Sequence, residues 1–269
     1  MKDDLFRELL ERFQRSPAGY HRVRAGVEKR IRRHMIRLGL DDPRAYMKRV
    51  TEDAELAGEM ESLLAVSVSR FFRDRALWDE LAMKVLPELT LRSEELRVWS
   101  AGCALGQEAY SFRILWAEFC RSRVDTPGLA LWATDSHPGY LEKAMEGVYR
   151  KSAVRELPEA LTKKYFREVG DHGLMRVTDG LKEGIFWRRH DFTREPPPHR
   201  SFHVILLRNN LLTYYRGDVQ KSALAKILGS LATGGILFIG KGEKLPPLPF
   251  GMIPLARGSP LYRKEPRRS

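Results

Sequence analysis

The chain has 269 residues, of which 47 are lysine or arginine and 35 are aspartate or glutamate, so its formal net charge is +12. Apolar residues make up 43% and aromatic residues 10%, which permits a packed core and excludes a wholly disordered chain. No apolar run approaches the roughly 18–20 residues of a membrane span, and two cysteines cannot form a disulfide framework. We therefore expect a cytoplasmic protein without membrane insertion. Its positive charge predicts an acidic partner, either a nucleic acid or a protein surface.

The first 66 residues show the periodicity of helices and no strand pattern. Apolar residues recur at helical spacing over residues 5–13 and again over residues 23–38, where Gly39 predicts a C-terminal stop. Asp42-Pro43 predicts the start of a third helix, because proline costs least in the first turn. Residues 1–66 are therefore predicted to form an all-α N-terminal domain.

From residue 95 onward, strands alternate with helices, which predicts a mostly parallel sheet covered on both faces. The predicted strands cover residues 96–100, 129–134, 185–187, 202–207 and 235–239, and the predicted helices cover residues 108–121, 138–147 and 219–231. A helix over residues 158–167 and a strand over 174–177 interrupt this alternation and predict a small β-subdomain at about 150–190. A closing hairpin is predicted over residues 250–256 and 261–264.

A glycine loop, Gly102 to Gly106, joins the first predicted strand to a helix, and Asp135 ends the next strand. Such glycines let the backbone approach a ligand closely, and an acid in the second position can bind both ribose hydroxyls of a nucleoside. The loop lacks the three glycines of the dinucleotide fingerprint, so the pattern favours a nucleoside cofactor without a pyrophosphate, such as S-adenosylmethionine. A glycine turn needed only for strand-to-helix packing explains the loop equally well.

Longer strings resemble a known family. The strings are SVSRFFRD over residues 67–74, VWSAGCALGQEAYS over 98–111, ATD over 133–135, and Arg208-Asn209 before Tyr214. In this order they resemble the chemotaxis receptor methyltransferases, the CheR family, over almost the whole chain. The resemblance implies an α/β fold: a Rossmann-like S-adenosylmethionine methyltransferase domain over residues 67–269, with a small β-subdomain, preceded by an all-α domain. It also implies methyl transfer to glutamate side chains of chemoreceptors.

Matching positions to the family's motifs, together with the loop glycines, predicts the site residues. The predicted cofactor-binding residues are Ser67, Ser69, Arg73, Gly102, Gly106, Glu108, Asp135, Asp191, Phe192, Asn209 and Asn210. The predicted catalytic residues are Arg73, which offers a forked and permanently charged donor for a carboxylate, and Tyr214, which could hydrogen-bond near the acceptor. No metal site is predicted.

The chain departs from the family's motifs mainly on the acceptor side. Ala109 follows Glu108 where the family commonly has proline, and the tyrosine of the Arg-Asn-Val-Leu-Ile-Tyr-Phe string comes one position later, at Tyr214. Lys241 and Gly242 replace the His-Ser of the family's Gly-His-Ser-Glu string. These departures weaken the prediction of a receptor substrate more than the prediction of methyltransferase activity.

The N-terminal region is strongly basic, with ten lysines or arginines and three acids between residues 20 and 49. Lys29, Arg33 and Arg37 fall near one side of the second helix, which favours contact with an acidic protein surface such as the cytoplasmic helices of chemoreceptors. A solvated face is the plainer explanation, and nucleic acid is disfavoured because interleaved aromatic residues are sparse.

Three alternative functions remain open at the level of sequence. The first is a related methyltransferase that acts on another protein or on a small acidic acceptor. The second is a module that binds S-adenosylmethionine without turnover. The third is an RNA methyltransferase, which only the net charge suggests.

Overall fold

The computed structural model describes residues 2–67, 69–121, 123–170, 172–246 and 251–266. The α-helices are α1 (Asp3–Arg12), α2 (Pro17–Tyr20), α3 (Arg24–Arg37), α4 (Pro43–Glu52), α5 (Ala54–Leu64), α6 (Arg75–Glu80), α7 (Leu86–Thr90), α8 (Gln107–Arg121), α9 (Pro138–Glu146), α10 (Glu159–Tyr165), α11 (Asp179–Lys182), α12 (Leu211–Tyr214) and α13 (Gly217–Gly229). The strands are β1 (Glu95–Ala101), β2 (Gly128–Asp135), β3 (Val148–Arg150), β4 (Phe166–Val169), β5 (Leu174–Val177), β6 (Ile185–Arg189), β7 (Phe202–Leu207), β8 (Leu231–Ile239), β9 (Met252–Pro254) and β10 (Leu261–Lys264).

By their mutual contacts, the residues divide into two compact units. The helical unit contains Met1–Val66 together with Asn209–Ser222, and the sheet unit contains Ser67–Arg208 together with Ala223–Ser269. The predicted domain boundary between residues 66 and 67 stays a prediction about the chain's organisation. The sequence had not suggested that residues 209–222 pack with the N-terminal helices.

The sheet unit is built on a seven-stranded sheet in the order β6-β2-β1-β7-β8-β10-β9. The strands from β6 to β8 are parallel, whereas β10 runs antiparallel to both of its neighbours. Val98 of β1 and Leu206 of β7 are fully buried in one apolar cluster with Phe112 and Ile114 of α8. Because the carboxyl ends of parallel strands lie along one edge, the loops after β1, β2, β6 and β7 emerge at that edge. The predicted α/β, Rossmann-like fold class is confirmed.

A second sheet in the same unit has three antiparallel strands in the order β3-β5-β4. Tyr149 and Phe166 turn their rings inward and contact Phe71, with centroid distances of 4.9 and 5.0 Å. This small sheet lies within the stretch that interrupts the strand–helix alternation of the sequence.

The helical unit has its own apolar core, in which Leu10, Val27, Ile31, Val50 and Met60 are buried. The predicted helix signals are confirmed. Asp42 caps α4 by accepting hydrogen bonds from the main-chain nitrogens of Arg44 and Ala45. Gly39 follows α3 with a φ of +65°, a conformation that glycine adopts without steric cost.

Some predicted element boundaries are wrong. The helix predicted to residue 167 ends at Tyr165, because Phe166 begins β4, where its main chain pairs with β5 and its ring is buried. The helix predicted to residue 231 ends at Gly229, and β8 begins at Leu231 rather than at residue 235. Helices α6 and α7 and strand β3 had not been predicted. The hairpin of β9 and β10 is confirmed, although residue 250 lies outside the described residues.

None of the helices among the described residues has the length and apolar composition that crossing a membrane requires.

Candidate functional site at the carboxyl edge of the sheet

The loop between β1 and α8 is held in an unusual backbone conformation. Gly102, Ala104 and Gly106 all have positive φ angles, of 77°, 49° and 84°. The carbonyl oxygen of Thr134 on β2 accepts hydrogen bonds from the main-chain nitrogens of Gly102 (2.8 Å) and Cys103 (2.9 Å). The loop is therefore anchored to the end of the neighbouring strand.

Gly106 is required by packing as well as by its φ angle. A Cβ at this position would lie 2.9 Å from Cβ of Ala144 and 3.0 Å from the ring of Trp187, closer than carbon atoms pack. Packing therefore requires glycine at 106, whether or not the loop also contacts a cofactor. Glycine at 106 by itself does not identify a ligand.

Asp135 lies at the end of β2, beside the loop. One carboxylate oxygen accepts a hydrogen bond from the main-chain nitrogen of Ala104 and the other from that of His137, both at 2.9 Å. The residue is only 9% exposed. Burial raises the pKa of Asp135, while the two main-chain hydrogen bonds act in the opposite direction. Each oxygen keeps a further lone pair that can accept from a ligand.

Asp191 and Phe192 follow β6 and are tied to Asp135 through the main chain. The nitrogen of His190 donates to the carbonyl oxygen of Asp135 at 3.0 Å. The Asp191 side chain turns back on its own loop and accepts from the main-chain nitrogen of Thr193 at 2.9 Å. Phe192 is buried at 7% exposure. Asp191 therefore has a structural task in its turn whether or not it contacts a cofactor.

Arg73 occupies a tight turn before α6. Its neighbours Phe72 and Asp74 have φ angles of 49° and 61°, which are uncommon for residues other than glycine. The carbonyl oxygen of Arg73 accepts two hydrogen bonds, from Nη2 of Arg208 at 2.7 Å and from Nε1 of Trp78 at 3.0 Å. These two donors fix the direction of the Arg73 main chain.

Glu108 stands in the first turn of α8 and is mostly buried, with a side-chain exposure of 12%. It accepts a hydrogen bond of 2.7 Å from the hydroxyl of Ser100, and its other oxygen lies 3.9 Å from Nη1 of Arg208. Burial raises the pKa of Glu108, and the positive charge of Arg208 is the strongest opposing influence.

The remaining predicted residues before the Arg73 turn are less enclosed. Ser67 and Ser69 are partly exposed. Phe71 and Phe72 are buried, and Phe71 donates its main-chain N–H to the carbonyl oxygen of Ala153 at 3.2 Å. The two phenylalanines are therefore core residues.

Asn209, Asn210 and Tyr214 belong to the helical unit. Asn209 has a φ of 52°, and the carbonyl oxygen of Asn210 accepts from the main-chain nitrogens of Thr213 and Tyr214. The ring of Tyr214 packs edge-on against Tyr20 with a centroid distance of 5.2 Å. A catalytic role for Tyr214 and a cofactor role for the two asparagines stay predictions.

Arg208 is the functional candidate that sequence reasoning missed. Its side chain is 3% exposed, and its guanidinium carbon lies 4.5 Å from the ring centroid of Phe238. The sequence feature that could have indicated it is the position of this arginine directly after the apolar strand Phe202–Leu207. A charged residue at the end of a buried strand must find partners.

A family comparison adds to this geometry. The family model described as "CheR methyltransferase, SAM binding domain" matches residues 67–257. The chain belongs to the CheR methyltransferase family. The match begins at Ser67 and so covers Arg73, Glu108, Asp135 and Arg208.

Named relatives agree with this membership. The chain is 35% identical over 212 residues to a chemotaxis protein methyltransferase of Listeria innocua, an alignment that covers 78% of both chains. The corresponding Listeria monocytogenes protein is also 35% identical, with the same coverage. A probable chemotaxis protein methyltransferase of Rhizobium etli is 32% identical over 226 residues, or 81% of this chain and 84% of that one.

S-adenosylmethionine is the cofactor of this CheR-type domain, and the residues present fit it. The cofactor carries an ammonium group, ribose hydroxyls and an adenine amino group, all of which are donors. Glu108 and Asp135 supply carboxylate acceptors. The buried Oε1 of Gln107 and Nδ1 of His137 have no hydrogen-bond partner within the described part of the chain. Buried polar atoms normally have partners, so these two atoms are suited to a bound polar group.

Proposed function

We propose that this CheR-family protein transfers the methyl group of S-adenosylmethionine to glutamate side chains in the cytoplasmic region of a chemoreceptor, forming a methyl ester. The observation that supports a carboxylate acceptor is the Arg73 turn, whose carbonyl oxygen is held by both Arg208 and Trp78. A guanidinium on so constrained a main chain offers a forked donor that matches a carboxylate.

Within the sheet unit, the proposed cofactor residues follow the carboxyl ends of β1, β2 and β6. Glu108 and Asp135 are the acceptors, with Asp191 and Phe192 on the next loop. The loop glycines Gly102 and Gly106, together with Ser67, Ser69, Asn209 and Asn210, complete the proposed set.

For this reaction the protein mainly has to align the acceptor oxygen with the methyl group. A bound S-adenosylmethionine supplies an electrophilic methyl group on its sulfonium. A glutamate acceptor is already ionised near pH 7, so it needs no general base. The Glu108 carboxylate is occupied by Ser100 and Arg208, which suits a binding role better than proton abstraction. Arg73 would orient the acceptor oxygen and Tyr214 would hydrogen-bond beside it. Such alignment contributes at most about 7–11 kcal/mol to lowering the barrier.

The acceptor is proposed to bind the basic face of α3. Lys29, Arg33 and Arg37 are exposed on this helix, and Arg37 forms an ion pair with Glu59. A cavity of about 360 Å³ lies along the same helix, and Ile36 in its lining is 69% exposed. The groove is lined by apolar residues together with Glu28, Arg32 and Asp41, and a basic face beside it suits a helix that carries both acidic and apolar residues.

The decisive experiment uses cofactor tritiated in the methyl group and the purified cytoplasmic fragment of a chemoreceptor. A methyl ester of glutamate is hydrolysed by mild alkali and releases volatile tritiated methanol, whereas N-methyl products keep their label. Arg73→Lys keeps the charge but loses the fork, so its turnover should fall. Arg263→Lys is the matched control, because the two terminal nitrogens of Arg263 donate to the Glu88 carboxylate, each at 2.7 Å.

The outcomes separate the proposal from its alternatives. Volatile label on the receptor fragment supports it. Volatile label only on another protein or a small acid would assign a different acceptor. Base-stable label would reject carboxyl methylation, and label on RNA would favour the nucleic-acid alternative. Cofactor binding with no transfer to any acceptor would favour a binding module.

A further inference from the structure

One face of the seven-stranded sheet carries aromatic side chains that its connecting loop covers only in part. The connection from β6 to β7 spans residues 190–201, every one of which the structure describes, and it contains no helix. The two strands are parallel, and a connection between parallel strands usually includes a helix that packs on the sheet. The absence of a helix from this connection leaves the sheet partly open near β6.

Four aromatic rings follow one another across this face. Trp99 of β1 and Phe202 of β7 are fully buried and stack with a centroid distance of 5.3 Å. Trp132 of β2 contacts Phe202 edge-on at 5.4 Å and lies 5.3 Å from the ring of Phe186 on β6, its direct partner in the strand register. Phe186 is 53% exposed. The row is therefore buried at its centre and presents an apolar surface at the edge of the sheet.

Phe186 lies on an edge strand. Among the described residues, β6 pairs with β2 alone and is the terminal strand of the seven. An edge strand directs main-chain N–H and carbonyl groups outward, where they can pair with an added strand. Arg188 and Arg189 are exposed on the same strand. Because side chains alternate along a strand, Phe186 and Arg188 point to the same face of the sheet.

The surroundings of this edge are basic. Residues 185–201 include four arginines and two acids. Both acids are hydrogen-bonded within the loop, since Asp191 accepts from the main-chain nitrogen of Thr193 at 2.9 Å and Glu195 from that of Asp191 at 2.8 Å. The Arg188 side chain is 56% exposed, and its Nη2 lies 4.0 Å from Glu195, too far for a hydrogen bond. The excess positive charge complements an acidic partner.

We propose that the outer edge of β6 binds an extended acidic segment of a partner protein, which adds to the seven-stranded sheet as a further strand. An apolar or aromatic side chain of this segment packs on Phe186, and an acidic side chain two positions away pairs with Arg188. The main-chain groups of β6 supply hydrogen bonds, and the two side chains supply specificity. This inference goes beyond the proposed function and does not rest on it.

Two other occupants fit these observations less well. Pairing of β6 with the same strand of a second copy would bring Arg188 and Arg189 of both copies into one interface, and like charges in register destabilise a strand pair. Single-stranded nucleic acid binds by stacking bases on exposed ring faces. Here the Trp132 ring already lies between Phe186 and His199, at interplanar angles of 31° and 33°.

A synthetic peptide tests the site directly. The probe is a labelled Thr-Glu-Val-Phe-Val-Glu-Thr peptide with blocked ends, in which an acid lies two positions from the phenylalanine whichever way the strand runs. The control peptide has lysine in place of both glutamates. Fluorescence anisotropy with the full chain at low ionic strength should show saturable binding of the glutamate peptide and none of the lysine peptide.

Two variants separate the apolar contact from the charged one. Phe186→Ala should weaken binding of the glutamate peptide by about fivefold, because the aromatic contact is lost. Arg188→Glu should weaken it by about tenfold and should allow the lysine peptide to bind. A gain of binding by the lysine peptide cannot arise from damage to the fold. Both variants should keep the wild-type affinity for S-adenosylhomocysteine.

Matched controls come from exposed residues elsewhere in the sheet unit. Met83 is 70% exposed, and the Arg121 side chain is 72% exposed with its Nη1 3.9 Å from Glu118. Met83→Ala and Arg121→Glu repeat the loss of an exposed apolar side chain and the reversal of a weakly paired charge. Neither should change the affinity for the glutamate peptide.

Main-chain pairing is tested on the peptide itself. Alternate residues of an added strand direct their N–H groups at the edge, and the residues between them direct theirs away. Methylating the main-chain nitrogens of one alternate set should therefore abolish binding, whereas methylating the other set should largely preserve it.

Three results would overturn the inference. They are no binding of the glutamate peptide up to about 1 mM, equal binding by the wild type and both β6 variants, and equal behaviour of the two N-methylated peptides. A labelled oligouridylate that binds the wild type but not Arg188→Glu would assign the edge to nucleic acid instead. Dimerisation that Phe186→Ala abolishes, measured by sedimentation, would assign it to a second copy. Failure of methyl transfer bears on the proposed function alone.

Discussion

One oxygen of the Asp135 carboxylate accepts a hydrogen bond of 2.9 Å from the main-chain nitrogen of Ala104, so the acid at the end of β2 is bonded to the glycine loop at the end of β1. The two features that the sequence linked to a nucleoside are therefore in direct contact. We expect Asp135→Ala to remove charge-assisted hydrogen bonds to the ribose. The loss should be about 1.5–3 kcal/mol, or about 10- to 150-fold in affinity for S-adenosylhomocysteine by calorimetry.

Asp191→Ala provides the matched comparison for this experiment. Both carboxylates accept main-chain hydrogen bonds within their own loops, so a larger loss of affinity in Asp135→Ala than in Asp191→Ala would separate ribose binding from support of a loop. Unchanged affinity in Asp135→Ala would reject its assignment as a cofactor residue.

The basic face of α3 should recruit the acceptor and take no part in the chemistry. Lys29→Glu combined with Arg33→Glu should weaken association with a receptor fragment and reduce its sensitivity to salt, with no change in affinity for S-adenosylhomocysteine. Arg37 is left intact because it pairs with Glu59. The measurement is binding at low and at high ionic strength.

An equal charge change elsewhere on the helical unit controls for net charge. Arg7 and Lys48 are also exposed, on α1 and α4. If Arg7→Glu with Lys48→Glu weakens the receptor complex just as much, the α3 face is not a specific docking surface. RNA binding that is abolished only by the α3 changes would support the nucleic-acid alternative.

The hydroxyl of Tyr214 can be tested apart from its ring. Tyr214→Phe keeps the ring that packs against Tyr20, so the urea midpoint of unfolding should change little. If the hydroxyl bonds near the acceptor, kcat should fall by about tenfold while affinity for S-adenosylhomocysteine is retained. An unchanged kcat would leave Tyr214 as a packing residue of the helical unit.

Substitution by alanine should change the free energy of unfolding in opposite directions at two glycines. Gly106→Ala places a methyl group 2.9 Å from Ala144 on a backbone with φ of 84°, so it should lower the free energy of unfolding by more than about 1 kcal/mol. Gly26 lies within α3, and apart from its own helix no described atom lies within 4 Å of the added Cβ. Gly26→Ala should therefore raise the free energy of unfolding by about 0.5–1 kcal/mol. Urea titrations measure both, and a stabilised Gly106→Ala would show that the loop relaxes freely.

Local signals account for much of what was predicted correctly. The stop at Gly39 and the cap at Asp42 are properties of a few neighbouring residues, and the chain behaves there as its sequence indicates. The glycine loop and Asp135 were likewise predicted at the ends of β1 and β2, because the carboxyl ends of parallel strands share one edge. The predicted roles of Arg73 came from the resemblance to the CheR family, because hydrophobic periodicity carries no information about them.

Other features depend on partners that are distant in the chain. Phe166 was predicted to be helical, yet it pairs with β5 and is buried against Phe71, 95 positions earlier in the numbering. The bond between Asp191 and its own turn also appears only when the loop is folded. Intrinsic propensity is weak compared with burial and strand pairing, so tertiary contacts decided these positions.

The amino-acid sequence by itself determined the class of fold, the strand ends that carry the proposed cofactor residues, and the family. Only the tertiary structure decided that Arg208 contacts both the Arg73 turn and Glu108, because Arg208 lies 135 positions from Arg73 and 100 positions from Glu108 in the chain. The physical reason is that a buried charge must be neutralised by whichever groups the fold brings within reach, and sequence distance carries no information about which groups those are.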